Sequence, residues 1–159
     1  MTTIGYTAGV FDMFHIGHLN LLEKARRHCD VLIVGLTTDE LCQNYKHKNP
    51  VIPYFERAAI VRSLRLVDDV IPQHFMDRYS MWKERRFDVT FVGDDWRGSD
   101  LWIDYEEKFA NVGVRVVYLP YTSHISSTLL RKRSKPSDHR QAQIVLDSND
   151  VTGNLFLAR

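Results

Sequence analysis

A chain of 159 residues, 44% hydrophobic and 26% charged, is long enough for one domain that buries roughly two-thirds of its unfolded surface, and too short for two ordinary ones. Its 21 Lys and Arg against 20 Asp and Glu leave a formal charge of +1, so no global field draws it to nucleic acid or membrane and any anion binding must be local. Two separated cysteines, Cys29 and Cys42, exclude a disulfide scaffold and a zinc cluster; with no leader-like start and no apolar segment of membrane length, the cytoplasm is the expected location.

Apolar runs of strand length alternate with segments of helical period, the pattern of strand–helix units on a parallel sheet. Thr3–Val10 reads as the first strand and Ile16–His28 as the first helix, with Leu19, Leu22 and Ala25 on one side and Glu23, Lys24, Arg26 and Arg27 on the other. Val31–Leu36 is continuously apolar, as a central parallel strand covered on both faces should be. Thr38 and Asp39 offer caps for a short helix, and Tyr45–Tyr54, with its lysines and two prolines, reads as a mobile loop. A helix over Phe55–Leu66 precedes a short strand, Val67–Ile71, ended by Pro72. Asp77–Arg86 is helical, Asp88–Val92 a strand, Leu101–Ala110 a helix, Val114–Leu119 the last strand and Ser126–Arg133 a hydroxyl-capped helix. The stretch after residue 133 turns polar and then regains apolar character over Gln141–Leu146 and Val151–Leu157, which suits a peripheral element of the same domain. The expected architecture is therefore an α/β, Rossmann-like open parallel sheet with helices on both faces.

Four segments fall after successive strands, where ligands sit in open parallel sheets. The first is Gly9-Val10-Phe11-Asp12 running into His15-Ile16-Gly17-His18: a helix N-terminus attracts anions, two imidazoles add donors, and Gly17 lets a polyphosphate lie close to the backbone. The others are the lysine loop Lys46–Lys48 with Arg57, the turn Gly93-Asp94-Asp95-Trp96, and Thr122–Thr128. A lysine loop, an acidic turn and a Thr/Ser run each have bland readings as solvated surface or helix caps. Their joint placement on one edge points to a triphosphate site.

These motifs are similar to those of the cytidylyltransferases in the HxGH nucleotidyltransferase superfamily, over about residues 3–133. The Gly-Val-Phe-Asp and His-Ile-Gly-His elements are joined by Thr38-Asp39-Glu40, Glu56-x-x-Ala59 beside Arg57, Val67-Asp68-Asp69-Val70 and Gly93-Asp94-Asp95-Trp96. The resemblance implies a reaction between CTP and a small phosphorylated polyol, glycerol 3-phosphate above all, giving a CDP-activated precursor of a cell-surface polymer and pyrophosphate. A relative using ATP or another phosphorylated acceptor is the nearest alternative, and a nucleotide-binding module with weakened catalysis the next. By the same resemblance His15, His18 and Lys46 would act on the reacting phosphates, and Lys48, Arg57 and Arg65 would bind phosphate oxygens. Gly9, Val10, Phe11, Asp12, Gly17, Gly93, Asp95, Trp96, Thr122, Ile125, Ser126 and Ser127 would surround the nucleotide, with Asp12 near Mg2+, and the protein would be a homodimer. Two departures stand out. The family's Arg-Thr-Glu-Gly-Ile-Ser-Thr motif reads Tyr121-Thr122-Ser123-His124-Ile125-Ser126-Ser127 here, so phosphate binding at that point is expected to be weaker or to be supplied by His124, Arg131 or Arg133. The stretch Gln73–Tyr79 also follows the family pattern poorly.

Overall fold

The computed structural model describes residues 1–134; the polar stretch and the apolar segments expected after them lie outside the described residues. The strands β1 (Ile4–Gly9), β2 (Val31–Thr37), β3 (Asp69–Gln73), β4 (Val89–Gly93) and β5 (Arg115–Leu119) pair in the order β3-β2-β1-β4-β5, all parallel. The order reverses between β1 and β4. That reversal is the switch point at which doubly wound sheets bind ligands, beyond the carboxyl ends of the strands.

Helices α1 (Ile16–Arg26), α2 (Asp39–Lys46), α3 (Tyr54–Arg62), α4 (Arg78–Arg85), α5 (Asp100–Ala110) and α6 (Ser127–Ser134) complete the fold. One core joins Leu22 and Ala25 of α1 and Ala58 and Val61 of α3 to Leu32, Val34, Leu36, Val89 and Phe91 of the sheet. A second, on the other face, joins Met81 of α4 and Trp102, Tyr105 and Phe109 of α5 to Tyr6, Ile71 and Val92. Because successive strand residues face opposite ways, the same apolar runs fill both cores. The amino edge is closed by aspartates: Asp30, Asp88 and Asp68 accept the N–H groups of Thr3, Ile4 and Leu32 at 2.7 Å each, and Asp68 also pairs with Arg26.

Two expectations need correction. Pro72 does not end a strand but lies within β3, opposite Leu36; β3 is an edge strand, where a missing N–H breaks no ladder. Tyr45 and Lys46 belong to α2 rather than to a loop, with Thr38 Oγ1 capping the helix from Leu41 N at 3.2 Å and His47 ending it in the left-handed region at φ 52°. What remains of the expected loop is fastened at its far half, where the N–H groups of Val51 and Ile52 donate to Asp12 at 2.9 Å.

Candidate active site

A cavity of about 670 Å3 opens at the carboxyl ends of β1 and β4, within the usual size of ligand sites. Its lining includes Gly9, Val10, Phe11, Asp12, His15, Gly17 and His18 from the β1–α1 connection. Lys48 reaches it from the α2–α3 loop, Gly93, Asp95 and Trp96 from the 3₁₀ turn after β4, and Thr122, Ile125, Ser126 and Ser127 from the approach to α6. Residues from each of the four segments line this one space, though Arg57 of the second does not.

The β1–α1 connection is tightly bent. Phe11 and Met13 both take left-handed backbone, φ 51° and 49°, at a cost of order 1–3 kcal/mol each. Asp12, between them and 1% exposed, anchors the bend: its carboxylate receives Val51 N–H, Ile52 N–H and the Arg131 guanidinium, and its carbonyl receives the Ser127 hydroxyl at 2.6 Å. Burial works to raise the Asp12 pKa, but the hydrogen bonds from Val51, Arg131 and Ile52 outweigh it and hold the carboxyl below its ordinary value. A carboxylate so fully engaged does not fit a metal ligand, which corrects the reading of Asp12 as part of a magnesium site. Among the described residues, no three His, Cys, Asp or Glu side chains gather at metal-binding distance.

The two histidines cap α1 reciprocally. His15 Nδ1 accepts Gly17 N–H at 3.1 Å and His18 Nδ1 accepts His15 N–H at 3.4 Å, with the rings stacked 3.8 Å apart. At this helix start the N–H groups of His15 and Gly17 are thus already taken by the two rings, and that of His18 donates to His15 O at 2.9 Å. Each ring spends Nδ1 on the backbone, which puts the proton of the neutral imidazole on Nε2. His15 Nε2, in the wall of the cavity, is buried and has no hydrogen-bond partner among the described residues. Burial lowers the His15 pKa; burial, then the neighbouring His15, pushes His18 down to about 3, so both rings are neutral donors at pH 7. Gly17 is required by this pair as much as by a ligand, since a Cβ there would lie 2.9 Å from His15 Cε1.

Arg57 and Arg65 are not brought to the cavity. Arg57, 1% exposed, donates through Nε to Ile52 O at 2.8 Å, through Nη1 to Val10 O at 2.5 Å and Thr37 O at 3.1 Å, and through Nη2 to Thr37 O and to Asp39 Oδ1. It is a buried tie between β1, β2, α2 and the loop, with no donor left for phosphate. Arg65 is exposed in the turn that follows α3 and does not line the cavity. The backbone of Lys46 closes α2, so of the two lysines expected in the loop only Lys48 lies beyond the helix; it lines the cavity. Of the three residues expected to make up for Tyr121, Arg131 lines the cavity, paired with Asp12, while His124 and Arg133 are exposed and do not line it. Nothing local in the sequence singles out Arg131 from its neighbours, because its partner lies far away in the chain. Tyr121 and the acidic turn are joined by Tyr121 N–H donating to Asp94 Oδ1 at 3.0 Å, and a Cβ on Gly93 would collide with Asp95 Oδ1 at 2.4 Å.

A parallel doubly wound sheet with a two-histidine helix cap and an acidic turn across its switch point defines a nucleotidyltransferase. The chain belongs to the cytidylyltransferase-like family, whose model matches residues 6–133. It is 38% identical over 127 residues to the glycerol-3-phosphate cytidylyltransferase of Bacillus spizizenii, covering 79% of this chain and 92% of that one. It is 37% identical to the enzyme of the same name from Staphylococcus aureus, covering 79% and 90%. The crystal structure of a lipopolysaccharide core biosynthesis protein from Thermoplasma volcanium shares the fold, with a TM-score of 0.65 at 24% identity over 79% of this chain and all of that one.

Proposed function

We propose that the protein transfers the cytidylyl group of CTP to the phosphate of a small phosphorylated polyol, glycerol 3-phosphate foremost, releasing pyrophosphate. The observation that carries this reading is the pair of neutral, Nδ1-anchored imidazoles in a cavity that also holds Lys48, Arg131 and the Gly93–Trp96 turn. An acceptor phosphate oxygen attacks the α-phosphorus in line; the new P–O bond forms as the α–β bridging P–O bond breaks, and the electron pair leaves on pyrophosphate. No protein nucleophile is needed. Catalysis is positioning together with charge stabilisation, and Nε2–H donors act without a protonation change. The names and extent of the relatives support CTP and glycerol 3-phosphate as the substrates.

Mg2+ would be carried chiefly by the triphosphate itself, as is usual for this metal. Its contribution when bound is neutralisation of phosphate charge. The proposal includes a homodimer acting in the cytoplasm on a precursor of a cell-surface polymer; no helix among the described residues is long and apolar enough to cross a membrane. The deciding experiment is a pyrophosphate-release screen of CTP, ATP, UTP and GTP against phosphorylated polyols and sugars. Release with CTP and glycerol 3-phosphate is expected. Faster release with ATP would replace the cytidylyl reading by an adenylyl one.

A further inference from the structure

The helix that carries the two histidines also holds the facing wall of the cavity. Residues three or four apart share a helix face, and along α1 one such face reads Gly17, Asn20, Lys24. It runs beside the connection from β5 to α6 and touches it once per turn. A Cβ on Gly17 would meet Ile125 Cγ2 at 3.4 Å, Asn20 Nδ2 donates to Thr122 Oγ1 at 3.2 Å, and Lys24 Nζ donates to Pro120 O at 3.0 Å. Tyr121, between the last two, gives its N–H to Asp94 Oδ1 at 3.0 Å. Pro120, Tyr121 and Thr122 are therefore fastened one after another, and all three line the cavity.

These ties differ in kind. Those on Pro120 and Tyr121 take backbone groups and fix only where the chain runs. The one on Thr122 takes a side-chain hydroxyl, and there the direction of the bond matters. An amide nitrogen can only donate, so Thr122 Oγ1 is the acceptor and its own proton must point elsewhere. Among the described residues that hydroxyl has no second partner. With α1 occupying one side of the oxygen, the direction left for the O–H is the cavity that Thr122 lines. A hydroxyl whose oxygen already accepts a hydrogen bond is polarised into a better donor. An anionic oxygen in the cavity is the acceptor it lacks. Tyr121 gives this bond its importance: it carries no charge and is 53% exposed, so Thr122 is the residue of this connection whose side-chain proton is aimed by a partner.

We propose that Asn20 is a positioning residue of the nucleotide site, its amide setting the Thr122 hydroxyl as a donor to a phosphate oxygen of the bound nucleotide. Asn20 itself does not line the cavity, so it acts through Thr122. The inference rests on the cytidylyl-transfer reading and deepens it.

The test is a double-variant cycle on the full chain, read by calorimetric titration of CTP with Mg2+. Asn20→Leu keeps the size of the side chain and removes the donor; it and Thr122→Val are each expected to raise the Kd for CTP roughly three- to tenfold. The double variant should bind within about twofold of Thr122→Val alone, because without the hydroxyl the amide has nothing to set. In Asn20→Leu the KM for glycerol 3-phosphate should change less than about twofold, which a general loosening of the cavity wall would not allow. Asn20→Asp separates orientation from tethering. Its carboxylate still bonds the hydroxyl but can only accept, so it draws the Thr122 proton away from the cavity and should raise the Kd at least as far as Asn20→Leu does. Made beside Thr122→Val, the same substitution reports its charge alone and should raise the Kd less. Losses that multiply in the double variant, an unchanged Kd in Asn20→Leu, or wild-type affinity in Asn20→Asp overturn the proposal while the cytidylyl reading stands. A wild-type chain that neither binds CTP nor releases pyrophosphate with any acceptor overturns both.

Discussion

An imidazole that accepts from the backbone at Nδ1 must donate from Nε2, and the structure sets two such rings 3.8 Å apart at one helix start. Donors held in place before the reaction act where charge develops, so His15→Ala is expected to lower kcat by roughly a hundred- to a thousandfold, about 2.7–4 kcal/mol, with little change in CTP affinity. Single-turnover rates beside calorimetric CTP titration check this; equal losses in both would make His15 a ground-state anchor. The same rings set a pH dependence of stability. In the unfolded chain histidine takes up its proton near pH 6.5, whereas burial and His15 keep folded His18 neutral down to about 3. Below about pH 6.5 the unfolded state binds the extra proton, so stability is lost as pH falls from there toward 3. Asp12, whose pKa is lowered, acts in the same sense at the acidic end of that window, where the unfolded chain's carboxylate begins to protonate. Urea unfolding from pH 7 to pH 4 should show a steadily falling midpoint, and His18→Gln should flatten the upper part of that slope. A wild-type midpoint constant across the window would show that His18 titrates normally in the fold.

The elements were the most legible part of the sequence, because buried parallel strands are nearly unbroken apolar runs and the helices between them carry polar outer faces. The His15–His18 run and the Gly93–Trp96 turn located the cavity for the same reason: both follow directly from strand ends. What stayed hidden were the commitments of individual side chains to partners distant in the chain. Arg57 looks from sequence like a phosphate ligand beside a lysine loop, yet its acceptors on Val10, Thr37, Asp39 and Ile52 are brought together only by the fold. Asp12 reads as a metal ligand until Val51, Ile52 and Arg131 surround it. Pro72 reads as a strand end because the sequence does not say that β3 is an edge. The buried tie predicts a stability phenotype rather than a kinetic one. Arg57→Ala leaves the carbonyls of Val10, Thr37 and Ile52 without their donor, at a cost on the order of 3 kcal/mol, and should lower the urea midpoint without changing the slope. Normal stability with a raised KM for CTP would restore Arg57 to phosphate binding.

At the scale of the molecule the sheet is polarised. Aspartates accept N–H groups at its amino edge, while Lys48, the neutral imidazoles and an Arg131 paired with Asp12 line the cavity at its carboxyl edge, so anion binding there rests on local donors and not on the net charge of +1. That site draws on β1, β4, the α2–α3 loop and α6, elements from both ends of the described chain, so a ligand filling it adds contacts among segments that Asp12 already ties together. CTP with Mg2+ at about a hundred times its Kd should then stabilise the fold by about 2.7 kcal/mol, which for a chain of this size raises Tm by roughly 5–10 °C. The loop supplies a second readout. Lys48 is exposed and lines the cavity, so trypsin cleavage after it should slow when nucleotide is bound. Lys48→Ala should weaken CTP binding and reduce the Tm shift at fixed nucleotide, leaving the Tm of the free protein within about 2 °C of wild type because an exposed lysine contributes little to stability. Tyr121→Arg adds the cation that the family motif carries, on an exposed residue at the cavity's rim, and should tighten CTP binding or leave it unharmed. Equal cleavage after Lys48 with and without saturating CTP, together with an unaltered Tm shift in Lys48→Ala, would make this loop a surface connection and leave Arg131 as the cavity's working cation.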